Sequence, residues 1–146
     1  MVEANMSDSP ATSSQPNLET TFASLAKVGD ELNKGTDSLN HVLRNVEKRL
    51  DQLNLHVEGE VKLPRLPGTE KDLYFGYGQS VLNRTGGWAL YVRTEDEAYA
   101  KSVFDASRDT RIQAVGLLSK LLKNIEARAR KIVSDIEDAK ATFGET

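Results

Sequence analysis

Apolar residues recur every seven positions through the first third of the chain, at Leu18, Leu25, Leu32, Leu39, Val46 and Leu53. Companion positions four residues further on hold Phe22, Gly29, Thr36, Leu43 and Leu50. Spacings of three and four place side chains on one side of a helix, so the pattern predicts a helix over 17–55 with an a/d seam. Asn17 is suited to cap its start, because its side chain accepts backbone donors that the first turn leaves free. Gly29 and Thr36 interrupt the seam and Gly35 lies beside it, which predicts a close helix approach or a bend in that half. The last third repeats the spacing at Val115, Leu122, Ala129, Ile136 and Phe143, with Leu118, Ile125, Ile132 and Ala139 between them. A second helix over 107–143 follows, closed by Gly144. Its apolar face broadens through Ile112, Ala114, Leu117 and Leu121, so that end needs a further neighbour.

Between the helices the period changes to two. In "HVEGEVKLP", Val57, Gly59, Val61 and Leu63 alternate with Glu58, Glu60 and Lys62, as in a half-buried strand. The prolines and Gly68 of "PRLPGTEKD" mark a loop. "LYFGYGQSVLNRTGGWALYVRT" then reads as a hairpin about Gly86-Gly87, since a type I′ turn needs positive φ at both centres. That turn pairs Thr85 with Trp88, Asn83 with Leu90 and Val81 with Val92. Leu73, Phe75, Tyr77 and Val81 then share an apolar face with Trp88, Leu90 and Val92, to be covered by the start of the last helix around 112–121. Tyr74, Gly76, Gly78, Ser80 and Leu82 share the other face with Ala89, Tyr91 and Arg93.

The expected fold is α+β: two long heptad-patterned helices in an antiparallel coiled-coil hairpin, flanking a small antiparallel sheet of about three strands. Residues 1–16, rich in Ser, Thr, Pro and Asn, read as a flexible tail, and residues 17–146 as a single helix–sheet–helix domain.

Composition narrows the chemistry. The formal net charge of −3 argues against a dedicated nucleic-acid binder, whose affinity rests on neutralising phosphates. Absence of cysteine excludes disulfides, thiolate nucleophiles and Cys-ligated zinc. No apolar run is long enough to span a membrane, and the N-terminus lacks the pattern of a secretory signal, so the expected location is cytoplasmic. Asn83-Arg84-Thr85 matches a glycosylation sequon but reads as turn sequence without an export signal. His41 falls on the outer helix face and His56 at a helix–strand junction, neither at metal-ligand spacing. Glu95, Asp96 and Glu97 read as a solvated connection, and Lys120, Lys123, Arg128, Arg130 and Lys131 as a solvated helix face.

No catalytic, cofactor-binding or metal-ligating residue stands out, and no cofactor is implied. The candidate interaction surface is Tyr74, Tyr91 and Arg93 on the second sheet face, with Arg108 and Arg111 at the start of the last helix. There Ser107 can cap and the two arginines can meet an anion or the acidic 95–97 loop. The order long helix, small β region, long helix, over 17–55, 57–94 and 107–143, resembles prefoldin-type subunits, in which an antiparallel coiled coil projects from a β core. The resemblance is one of layout and carries no residue roles.

The expected function is non-enzymatic: a protein–protein interaction or assembly module, such as a coiled-coil adaptor or chaperone-like subunit, that self-associates through its helices. The expected partner is a second copy in a homodimer or another helical protein, with neither nucleic acid nor membrane. The alternative is a small-molecule or anion-binding sensor, possibly an enzyme, with a pocket between sheet and last helix lined by Tyr74, Tyr91 and Arg108.

Overall fold

A computed structural model describes residues 10–64, 71–79, 87–95 and 100–144. The chain divides into two compact units, one up to Ser38 and one from Leu39 onward. Helix α1, Pro10–Leu53, carries the division within it. Then come β1 (Gly59–Lys62), β2 (Leu73–Gln79), β3 (Trp88–Thr94), β4 (Ala100–Ser102), a 3₁₀ turn (Val103–Asp105), α2 (Arg108–Gly116) and α3 (Leu118–Thr142). The α+β class is as expected, but four described strands, not three, form the sheet, in the order β1-β2-β3-β4 with every neighbouring pair antiparallel.

In the N-terminal unit, α1 starts at Pro10, so Asn17 is no cap; its carbonyl accepts a bond from the Thr21 hydroxyl inside the helix. The helix runs unbroken through Gly29 and Gly35, and apart from the helix's own neighbouring backbone no described atom lies within 4 Å of where a β-carbon would stand at either. Leu18, Phe22, Leu25 and Leu32 stay exposed.

In the C-terminal unit one sheet face is the core, and it is the face that alternation picked out. Val61, Phe75 and Val92 line up across β1, β2 and β3, and Gly59, Tyr77 and Leu90 form the next row. All are buried. Leu43 and Leu50 of α1, and Ala114, Leu118, Leu121 and Ile125 of α2 and α3, complete that core. The expected Val81–Val92 register is replaced: Val92 has Phe75 on one side and Lys101 on the other. The shift is six residues, an even number, so the same side chains stay on the same face. It sets the larger Phe75 and Tyr77 opposite Val92 and Leu90, where cross-strand contact is richer. Val81, Asn83, Thr85 and Gly86 lie outside the described residues.

The last segment is two helices rather than one. Ser107 caps α2 as expected, accepting from the Thr110 N–H, and α2 gives way to α3 at Leu117, directly after Gly116. Gly144 adopts the left-handed conformation (φ 69°) just beyond α3, the terminator that its position suggested. The outer edge of β1 is covered by α3: the Asn124 side chain accepts from the Glu60 N–H at 3.1 Å, and Arg128 donates to the Glu58 carbonyl at 3.1 Å. Edge groups that would otherwise invite another strand are thereby satisfied.

Candidate functional site

The second sheet face is organised by a missing side chain. Gly76 lies between Glu60 and Tyr91 in the row running across β1, β2 and β3. With no Cβ in the way, the Tyr91 ring crosses Gly76 and its hydroxyl donates to Glu60 Oε2 at 2.7 Å. Arg93 forks onto the same carboxylate, Nε to Oε2 and Nη2 to Oε1, both at 2.6 Å. Its guanidinium lies 4.8 Å from the centroid of the Tyr74 ring, in cation–π range.

Three of the expected surface residues, Tyr74, Tyr91 and Arg93, therefore do come together, around a fourth, Glu60, that the sequence placed only on an alternating polar face. Arg108 and Arg111 do not join them. Arg108 is exposed in the first turn of α2. Arg111 donates to the Asn40 side chain of α1 at 2.8 Å, and its Nε is buried with no partner among the described residues. Glu95 is exposed; Asp96 and Glu97 lie outside the described residues.

The electrostatics of this cluster are those of a closed unit. Burial alone would raise the Glu60 pKa, but the hydrogen bonds from Arg93 and Tyr91 outweigh it and hold the carboxyl below its ordinary value. Burial pushes the Tyr91 phenol well above its usual range, and the bond to Glu60 adds to that. At neutral pH Glu60 is an engaged anion and Tyr91 a neutral donor, which suits neither to proton transfer. Among the described residues no group of three or more His, Asp or Glu side chains is placed to hold a metal ion.

Two carboxylates of α1 meet the core face instead. Leu90 lies one residue past the β3–β4 pairing, and its N–H donates to Glu47 Oε2 at 2.8 Å. Asp51 accepts from the Tyr77 hydroxyl. Burial is the largest influence on Glu47 and raises its pKa, although the Leu90 N–H favours the anion. Both act as polar hooks joining helix to sheet.

Acid stability should report the Glu60 cluster. Its depressed pKa contributes stability that is present above the ordinary glutamate value of about 4.3 and is lost as the pH falls through the folded value. Glu47, raised, contributes in the opposite sense, fully below the unfolded value and less as the pH rises through the folded one. Glu60→Gln should cost about 1.5–3 kcal/mol at pH 7, the worth of hydrogen bonds to a charged group, and flatten the acid limb. Urea melts from pH 3 to 7 check this: an unchanged acid limb in Glu60→Gln would show that the cluster does not carry it.

A second feature went unread in the sequence. His56, Val57 and Glu58, Trp88 of β3, and Arg128, Lys131 and Ile132 of α3 line an open cleft of about 430 Å³. His56 stacks on Trp88 with centroids 5.3 Å apart and planes at 15°, and Trp88 in turn meets Tyr77 at 5.6 Å. Its signal was the single tryptophan on a strand near a helix-exit histidine, which only the fold could join.

No known protein family, curated protein or solved structure matches the chain. No described helix is long and apolar enough to cross a membrane.

Proposed function

We propose that the chain is a non-enzymatic interaction and assembly module that pairs with a second copy of itself through the heptad seams of its helices. The observation that carries this is the uncovered state of those seams. Leu18, Phe22, Leu25 and Leu32 of α1, and Ile132, Ile136 and Phe143 of α3, remain exposed in the single chain. Scattered exposed leucines are ordinary, but residues repeating at helical spacing lie along one side of the helix, and such stripes favour another helix. Each exposed seam is about two heptads long, so a two-fold pairing can use the same two surfaces on both copies. Four seams then close into a bundle of the coiled-coil type. The closed Glu60–Tyr91–Arg93 cluster offers no free acid or base, which also favours a binding role over catalysis.

Light scattering at micromolar concentration tests the proposal. The expected result is a species of twice the 16.1 kDa chain mass, dissociated by the paired changes Leu25→Asp and Leu32→Asp. A stable monomer whose unfolding is independent of concentration would refute self-association.

A further inference from the structure

We propose that the cleft between His56, Trp88 and α3 is a binding site for a small planar aromatic anion, a function separate from self-association and confined to the C-terminal unit. Four observations converge on it. The first is the shelf: His56 and Trp88 lie nearly parallel at 5.3 Å, and the Trp88 ring is backed by Tyr77, tilted at 36° to it, whose hydroxyl is tied to Asp51. A flat ring extends such a stacked pair by offset stacking.

The second is the backbone that holds the shelf. Asn54 and His56 both take left-handed conformations, at φ 55° and 53°. Asn and His are among the side chains that tolerate this conformation best, and here it turns the chain out of α1 at the point where the imidazole meets Trp88.

Charge supplies the third. Arg128 and Lys131 line the cleft within one turn of α3. Glu58 lines it too, but its side chain runs toward Gly78 and Tyr91 on the opposite sheet face, while its carbonyl takes one Arg128 donor. Lys131 shares its charge with Asp135 at 2.6 Å, which leaves Arg128 as the principal cation. A guanidinium has five donors, so the bond to Glu58 leaves others for an incoming carboxylate or phosphate.

The fourth is unused hydrogen-bonding capacity. Among the described residues none accepts from the Trp88 indole N–H, and none bonds the His56 ring nitrogens. An apolar wall with a few convergent polar groups is the general form of a small-molecule site. Its openness fits a ligand of one or two rings.

The chain has one tryptophan, so its indole N–H resonance reports the cleft without further assignment. Full-length ¹⁵N-labelled protein is titrated with 2-naphthoate, 2-naphthyl phosphate and the uncharged 2-naphthol. The expected result is a saturable shift with either anion, Kd on the order of 0.1–1 mM, and at least about tenfold weaker binding of 2-naphthol. The tighter of the two anions distinguishes carboxylate from phosphate recognition. Arg128→Gln should weaken anion binding about tenfold, and Lys131→Glu, whose side chain is 73% exposed, should do so without disturbing the fold. His56→Ala should weaken both anions while leaving the preference over 2-naphthol. Absence of a saturable shift up to about 10 mM would overturn the proposal, as would 2-naphthol binding as tightly as the anions or wild-type affinity in Lys131→Glu.

Discussion

Truncating Leu121 or Ile125 to alanine should each remove about 2–5 kcal/mol of unfolding free energy, the range for deleting a well-packed aliphatic side chain. Leu122→Ala should remove no more than about 1 kcal/mol. The contrast follows from phase. Leu122 is the heptad position, yet it is 38% exposed, while Leu121 is fully covered and Ile125 is 2% exposed. The buried set, Ala114, Leu118, Leu121 and Ile125, has spacings of four, three and four residues, and it faces the sheet core. It draws two residues, Leu118 and Ile125, from the a/d series and two, Ala114 and Leu121, from the broadened flank that looked like an accessory. A burial ranking alone would make the same prediction for any fold, so urea melts should include Leu43→Ala, buried on α1 within the same cluster. An equal loss in Leu122→Ala and Leu121→Ala would show that α3 is rotated about its axis from the described position.

That phase marks where periodicity stops being informative. A seven-residue repeat states that a helix has an apolar side and leaves open what covers it. On α1 the positions Leu43 and Leu50 meet the sheet core, while Leu25 and Leu32 of the same seam stay exposed. The strands were more legible, because alternation sorts each strand's residues between two faces: Phe75 and Tyr77 share a side with Leu90 and Val92 in any register shifted by an even number of residues. Register itself was not legible, since a slip of six leaves every face unchanged and the choice rests on cross-strand pairs. The β4 strand, Ala100–Ser102, is three residues long and too short to show any alternation. For the site, the residue types Tyr74, Tyr91 and Arg93 were visible on their face, but Glu60 was one acidic residue among several on a neighbouring strand. The cleft drew on three separated segments, at 56–58, 88 and 128–132, and no linear pattern connects them.

Gly76→Ala should prove the most damaging single-methyl addition in the sheet, costing about 3 kcal/mol or more. A β-carbon there would come within 2.6 Å of the Tyr91 hydroxyl and 2.7 Å of the Gly59 carbonyl oxygen. Overpacking in a tight site costs about 1–3 kcal/mol by itself. Here it also lifts Tyr91 from Glu60, loosening the hydrogen bond and the Arg93 fork that shares the carboxylate. At Gly59 the obstruction has a different character. An added β-carbon there meets Ile125 Cγ1 and the Asn124 side-chain oxygen, both on α3, so its cost lies in helix–sheet spacing. A double-mutant cycle separates the two contributions at Gly76. In a Tyr91→Ala background the tyrosine clash disappears, and the residual cost of Gly76→Ala measures the clash with the β1 backbone alone. The expected outcome is a clearly smaller, still unfavourable value, because the Gly59 carbonyl cannot swing aside without breaking the β1–β2 ladder. Full recovery in that background would place the whole cost on Tyr91, and an unaltered stability for Gly76→Ala alone would contradict the described pairing of Gly76 with Glu60 and Tyr91.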